Sequence, residues 1–157
     1  MRHDSCMASE SNSDLESGAR QLLAQRKFGV LITNAEKLAG YPFGSLTPYA
    51  LDTDGRPIFL LSSLAIHTAN LRADARASLF VFAESAEQTA AVAARVNVIG
   101  AVQEIAGHER DDARALYLAR HPESAQWVDF GDFAFYRLQA KHLYYVGGFG
   151  VMGWVAA

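Results

Sequence analysis

The sequence has very little cysteine, and its one thiol, Cys6, lies in a polar leader. A single cysteine cannot build a disulfide framework or a cysteine-based zinc site within one chain, so both are excluded. No apolar run approaches the ~20 residues that a membrane-spanning helix needs. The stretch from Met1 to Ser13 is polar and lacks the apolar segment of a secretory signal. We therefore expect a reduced, cytoplasmic protein.

Positive charge is also scarce, because 14 Lys and Arg residues stand against 17 Asp and Glu residues, for a net charge of −3. Without a Lys/Arg cluster, this balance excludes a broad nucleic-acid-binding face. Half of the residues are hydrophobic and a fifth are charged, as in ordinary globular proteins. The 157 residues suit one domain. We place it at residues 14–157, after a flexible tail of residues 1–13.

Short apolar runs separated by turn residues dominate the chain and predict a mainly β protein. The runs that predict strands lie at 28–33, 42–52, 58–61, 78–82, 95–105, from 133 onward and from 142 onward. Helical patterns occur from 14 to about 27, at 67–73 and at 108–120. A doubly wound sheet would need a helix between most strands, and only two connections are helical here. We therefore predict an α+β fold, a six-stranded antiparallel barrel with flanking helices.

A cluster of polar side chains marks the junction of a strand and a helix in the segment 56–83. Ser62 and Ser63 lie where the strand ends, so one of them can cap the free N–H groups of the helix. His67 and Thr68 follow one turn later and add donors near the same end. Such a cluster favours a phosphate or another small anion. The alternative is an ordinary helix cap beside a solvated histidine.

The strand at 42–52 alternates in a way that suggests a ligand groove. Its alternation places Phe43, Ser45, Thr47 and Tyr49 on one face and Leu46, Pro48 and Ala50 on the other. Small hydroxyl side chains on one face can line a groove, or they can form the polar outer face of a half-exposed strand. Pro48 cannot donate to a β ladder, so this strand should lie at an edge or a bulge.

Long ordered motifs resemble a known family. LLSSLAIHTANLRADARASLFV, preceded by YPFGSLTPYALDTDGRPIF, resembles the pyridoxamine 5′-phosphate oxidase-like, FMN-binding split barrels. ERDDARALYLARHPESAQWVDFGDFAFYRL and YYVGGFGVMGW resemble the branch with haem-utilisation proteins and a secreted cellular-repressor glycoprotein. The resemblance covers Leu15 to Trp154. It implies a homodimer with FMN in grooves between the subunits. Members of the family differ in activity, and we expect a flavin-dependent oxidoreductase acting on a small molecule.

The resemblance also implies a set of cofactor-binding residues. The phosphate would lie at the strand–helix junction, the ring along the second strand, and a tail aromatic from the partner would close the groove. These residues are Ser62, Ser63, His67, Thr68 and Asn70 at the junction, Ser45, Leu46 and Thr47 on the strand, and Trp154 in the tail. Flavin-binding relatives place Arg or Lys near the phosphate, where this chain has His67 and Thr68. With a neutral histidine, phosphate affinity should be lower and should rise below a pH of ~6.5.

Two other functions stay open. Haem binding needs an axial ligand, most often a neutral histidine, and the haem-utilising relatives carry it in their C-terminal region. The candidates here are His121 and His142, although each sits where a surface or capping residue is common. The other alternative is a cofactor-free interaction domain, whose relatives fill the groove with inserted loops, and no large insertion is evident. The sequence identifies no catalytic acid or base, so chemistry would rest on the cofactor.

Overall fold

The computed structural model describes residues 11–157. Its strands are β1 (Phe28–Asn34), β2 (Pro42–Pro48), β3 (Ala50–Leu51), β4 (Pro57–Ser62), β5 (Arg76–Phe82), β6 (Arg95–Glu104), β7 (Phe133–Gly148) and β8 (Val151–Ala156). Its α-helices are α1 (Asn12–Gln25), α2 (Ile66–Ala73), α3 (Ala86–Thr89) and α4 (Glu109–Arg120), and a 3₁₀ turn follows at Pro122–Gln126. Over these residues, no helix is both long enough and apolar enough to cross a membrane.

The strands form one antiparallel sheet in the order β2-β1-β5-β6-β7-β4-β3, and β8 pairs with the second half of β7. The sheet curls until β2 contacts β4, although these two strands share no ladder. This arrangement confirms the predicted antiparallel split-barrel fold with flanking helices. It also places β2 at an edge of the sheet, as Pro48 predicted.

The described residues form eight strands, so the expected number of six is too low. Tyr49 separates β2 from β3, because its side chain turns into the core and its hydroxyl donates to the carbonyl oxygen of Leu23 at 2.7 Å. At the other end of the chain, Gly148 and Gly150 adopt φ angles of 145° and 77°, which return the tail to β7 as β8. Glycine adopts these angles at little cost.

Helix α1 closes one end of the core. Its buried side chains are Leu15, Ala19, Leu22 and Leu23, the face that the helical pattern predicted. The helix begins at Asn12, so the predicted tail of residues 1–13 is wrong for its last two residues. Residues 1–10 lie outside the described residues. The helix starts earlier than the apolar pattern because Asn12 and Ser13 form an exposed first turn that needs no apolar side chain.

The two faces of the sheet differ in burial. Along β1, β5 and most of β6, buried side chains alternate with half-buried ones, and exposed side chains occur only at strand ends. The buried set forms the core, while the half-buried set forms a second, outer face. The register aligns one row of outer-face residues across six strands, namely Leu46, Val30, Phe80, Asn97, Tyr144 and Trp154. The outer face is therefore apolar along much of its width.

A register shift between Ile99 and Gly100 interrupts the pairing of β6 with β7. A Cβ atom at Gly100 would lie 1.9 Å from the carbonyl oxygen of Gln139. Glycine is required here because the β7 backbone approaches too closely for any side chain. A glycine within a strand is typical of such a bulge.

Candidate functional site

The predicted phosphate site at the start of α2 differs from the expectation in its capping. The N-cap residue is Ala65, and no side chain caps the helix, so the prediction that a serine does so is wrong. The hydroxyl of Ser62 instead accepts from the backbone N–H of Leu64 at 3.1 Å and donates to Asp132 Oδ2 at 2.7 Å. A turn separates the end of β4 from α2, and Ser62 stabilises that turn.

Two further residues of the predicted site, Thr68 and Asn70, are buried and hold α2 against the sheet. Thr68 Oγ1 donates to the carbonyl oxygen of Ser62 at 2.6 Å. Asn70 Nδ2 donates to Thr33 Oγ1 at 3.0 Å, and its Oδ1 accepts from the backbone N–H of Glu36 at 3.0 Å. The structure therefore brings the predicted residues together. The polar side-chain atoms of Thr68 and Asn70, however, already form hydrogen bonds with other groups of the protein.

The charge around the start of α2 does not favour a phosphate. Burial lowers the pKa of the half-buried His67, so its imidazole is uncharged at neutral pH. The Asp132 carboxylate lies within hydrogen-bonding distance of Ser62. Leu64, with 85% of its surface exposed, and Ile66, with 62%, occupy the approach to the helix. A phosphate dianion would meet a neutral ring, a carboxylate and apolar side chains.

Next to this helix start is a groove of about 370 Å³ between α2 and the loop that joins β1 to β2. Most of its lining is apolar, with Leu38, Phe43, Leu64 and Ile66 forming the walls and Lys37 as the one cation among the described lining residues. Ser63 and Asn70 also line it. An apolar ligand would fit this groove better than a phosphate would.

The three predicted residues on β2 point in opposite directions. Ser45 and Thr47 face inward, and the Thr47 hydroxyl donates to the carbonyl oxygen of Ser45 at 3.0 Å. Leu46 faces outward with 72% of its surface exposed. The predicted alternation is confirmed, but these side chains cannot all contact one face of a flat ring.

Trp154 lies on the outer face at β8, five strand spacings from Leu46 along the curled sheet, a path of ~24 Å. Within one protomer the two side chains therefore lie at opposite ends of the outer-face row. Its ring packs against Tyr144 at a centroid distance of 5.0 Å and meets His142 edge-on at 6.3 Å.

The two candidate haem ligands, His121 and His142, differ in the freedom of their rings. His121 is buried, its Nε2 hydrogen-bonds to the carbonyl oxygen of Tyr49 at 2.7 Å, and its Nδ1 lies 3.5 Å from a Glu123 carboxylate oxygen. Both nitrogens are engaged, so His121 cannot bind a metal without breaking the local packing. His142 is exposed, and neither of its ring nitrogens has a hydrogen-bond partner in residues 11–157.

His142 lines a second groove of about 370 Å³, on the outer face where β1, β5, β6 and β7 run side by side. Ile32 and Ile99 form its apolar surface, while Arg76 and Lys141 place two cations at its margin. Arg76 is paired with Asp74 at 2.6 Å, and this pairing holds the pKa of the Asp74 carboxyl well below its usual range. Lys141 has no ion-pair partner among the described residues.

Sequence reasoning did not identify this groove, because its walls come from four strands whose register cannot be derived from local patterns. The available signal was the pair Lys141 and His142 at the start of the last apolar run.

Comparison with known proteins gives a consistent set of relatives. The model of the family "CREG, beta-barrel" matches residues 11–157. The chloroplastic haem oxygenase HOZ of Arabidopsis thaliana is 40% identical over 120 residues, which are 76% of this chain and 36% of that protein. A haem-binding protein from Mycobacterium smegmatis superimposes with a TM-score of 0.83 at 31% identity, covering 95% of this chain and 59% of that one.

More distant structures share the fold alone. HutZ from Vibrio cholerae, described as a haem storage protein, has a TM-score of 0.72 at 20% identity, covering 90% of this chain and 96% of that one. A pyridoxine phosphate oxidase family protein from Clostridium acetobutylicum has a TM-score of 0.69 at 15% identity, covering 94% and 96%. The chain spans little more than a third of the Arabidopsis protein and about three fifths of the mycobacterial one.

Proposed function

The chain belongs to the CREG β-barrel family, and on that basis we propose that it binds haem and presents it for oxidative breakdown. The observation that carries the proposal is the free imidazole of His142 in a groove with apolar walls and cations at its margin. The relatives named for haem, one of them 40% identical to this chain, support the same choice over a flavin-dependent oxidoreductase.

The residues around His142 fit the chemistry of haem. The exposed imidazole of His142 would supply a nitrogen ligand to the haem iron, the role in which a neutral histidine is most often found. Ile32 and Ile99 offer apolar surface to the porphyrin, and Lys141 can pair with one propionate. Arg76 binds Asp74 through Nε and Nη2, which leaves its Nη1 to donate to the other propionate. The edge of the Trp154 ring limits the rotation of the His142 imidazole. This chain therefore supplies a ligand, a surface and counter-charges.

When bound, haem activates dioxygen at its iron, and opening of the porphyrin consumes dioxygen and electrons from an external donor. The protein's own contribution is positional. His142 would supply a ligand to the iron, and the apolar side chains of the groove would limit the access of water to the bound haem.

Homodimerisation through the outer face is part of the proposal. This face carries half-buried or exposed apolar side chains, among them Val30, Phe80 and Trp154, where a folded monomer would normally place polar ones. A second copy laid on it would cover these side chains and deepen the open groove around His142. We expect Phe80→Glu to give a folded monomer that binds haem poorly, whereas Ala115→Glu, on the exposed face of α4, should remain a dimer. Light scattering behind size exclusion measures both masses.

FMN remains the second candidate. Its predicted site at Ser62 and Ser63 offers a hydroxyl shared with Asp132 and a neutral His67 instead of a cation. Since an uncompensated phosphate dianion is bound weakly, we expect FMN to titrate more weakly than haem.

Titrating the purified protein with hemin, and a second sample with FMN, tests the proposal. We expect a saturable Soret band with a dissociation constant of ~1 μM or lower, a free energy near −8 kcal/mol. His142→Ala should shift the band and weaken binding by about tenfold or more. His67→Ala and His108→Ala are matched controls and should leave the band unchanged, since these rings lie away from the groove. With ascorbate as the electron donor and dioxygen from air as the oxidant, the Soret band of the wild-type protein should decay.

A Soret band that survives His142→Ala with unchanged position and affinity would refute the assignment of the ligand. A protein that binds FMN at micromolar concentration and hemin only non-specifically would refute the function.

A further inference from the structure

A separate pocket lies away from the outer face, among the C-terminal turn of α1, the corner between β2 and β3, and the last turns of α4. Its volume is about 280 Å³. Leu23 and Ala24 from α1, Leu51 from β3, and Leu116 and Ala119 from α4 give it mostly apolar walls. It shares no lining residue with the His142 groove.

Two guanidinium groups, of Arg26 and Arg120, line this pocket, and none of its described lining residues is acidic. Arg120 Nη2 donates to the carbonyl oxygens of Ala24 and Arg26 at 2.7 and 2.8 Å, but the side chain has no carboxylate partner in residues 11–157. The charge of Arg120 is therefore balanced only by backbone dipoles.

Arg26 is only partly compensated as well. Its Nη1 lies 3.0 Å from Glu84, a carboxylate whose side chain is 89% exposed, and such a pair is worth little in water. Its Nε is buried and has no acceptor among the described residues. A buried donor without a partner is costly, so a ligand that brings an acceptor nearby would be favoured.

Tyr49 forms the remaining polar surface of the pocket. Tyr49 lines the pocket together with both arginines. Burial raises the pKa of its phenol, and the positive charges of Arg120 and Arg26 oppose that rise. The phenol stays neutral and donates to the carbonyl oxygen of Leu23. No anion of the described chain therefore neutralises the interior of the pocket.

We propose that this pocket binds a small amphipathic carboxylate. The carboxylate pairs with Arg26 and Arg120, whose forked donors match its two oxygens. The hydrocarbon part lies on the leucine and alanine walls. The volume lies just below the range of ~300–1,000 Å³ that is usual for small-molecule sites, which favours a medium-chain monocarboxylate over a long-chain lipid. The proposal does not depend on the haem site.

Octanoate is the probe for this site, added to the full-length ¹⁵N-labelled protein and followed by two-dimensional NMR. We expect saturable shifts at the amides of Ala24, Leu51 and Ala119. Arg26→Gln should weaken binding by about tenfold or more, because it removes a charge-assisted contact. Arg114→Gln is the matched control. It removes the same charge from α4 at a position outside the pocket, where Arg114 pairs with Asp129. It should leave the octanoate affinity unchanged.

Two further measurements separate charge recognition from simple apolar binding. Ala24→Phe fills the pocket from an exposed helical position and should abolish the octanoate shifts while circular dichroism stays that of the wild type. Octylamine has the same chain with a cation and should not bind. Octylamine binding as strong as that of octanoate, or unchanged octanoate affinity in Arg26→Gln, would overturn the proposal.

Discussion

Replacing Asn70 by alanine separates a structural role of this residue from a role in cofactor binding. The side chain is 2% exposed and joins three elements, because it donates to Thr33 Oγ1 on β1 and accepts from the N–H of Glu36 in the following loop. Asn70→Ala leaves the buried Thr33 hydroxyl without its donor, at a cost of about 1–3 kcal/mol. The Glu36 N–H is only partly buried, and losing its partner costs about 0.5–1.5 kcal/mol.

The free energy of unfolding should therefore fall by about 1.5–4.5 kcal/mol, which is a large fraction of the ~5–15 kcal/mol of a typical domain. In a chain of this size each kcal/mol lowers Tm by about 2–4 °C. Urea unfolding followed by tryptophan fluorescence measures the change, at one fixed protein concentration because association shifts apparent stability. The m-value should stay constant.

Asn97→Ala is the matched control. Asn97 is half-buried on the outer face, and its side chain has one hydrogen bond, from Ser78 Oγ at 3.2 Å, so its loss should cost about 1 kcal/mol or less. A midpoint for Asn70→Ala equal to that for Asn97→Ala would refute the reasoning, and Asn70 would then be free to serve a ligand.

Two other predictions concern packing and pH. Gly100→Ala should destabilise the protein by about 3 kcal/mol or prevent folding, because the new Cβ would clash with the Gln139 carbonyl oxygen. Gly131→Ala is the control: no atom lies within 4 Å of the added Cβ, so its thermal melt should be nearly that of the wild type. Burial raises the pKa of Tyr117 to about 12 from the usual 10, so the unfolded chain loses this proton at a lower pH than the folded protein does. The contribution of Tyr117 to the free energy of unfolding should therefore be constant below pH 10 and should fall as the pH rises toward 12. Urea titrations across that range should show a shallower fall in Tyr117→Phe, and an unchanged slope would contradict this cause.

Local patterns were sufficient for much of the sheet. The apolar run at 58–61 becomes β4 (Pro57–Ser62), because a proline precedes it and a serine follows it. The run at 78–82 becomes part of β5 (Arg76–Phe82), because its alternation is that of a half-buried strand. Pro48 predicted an edge strand for a reason that does not depend on context, the lack of a backbone donor. The start of α1 was missed because an exposed first turn has no apolar signature.

The candidate site was less accessible to sequence reasoning. Ser62 has the residue type and position of a helix cap, yet its hydroxyl is drawn to Asp132, 70 residues away. His121 and His142 were equivalent in sequence, and only the contact of His121 with the Tyr49 carbonyl, 72 residues distant, distinguishes a buried ring from a free one. Such choices depend on tertiary partners, which a single sequence does not reveal.

The length of β7 has a consequence for synthesis of the chain on the ribosome. Its first residues complete the ladder of β4, its last residues receive β8, and the stretch 136–146 pairs with β6. Until residues 133–148 have emerged, β4 and β6 each present an open edge, and no β ladder of the described residues joins the two parts of the sheet. A nascent chain stalled before Phe133 should therefore be aggregation-prone and sensitive to proteases, whereas a chain in which β8 has emerged should not be.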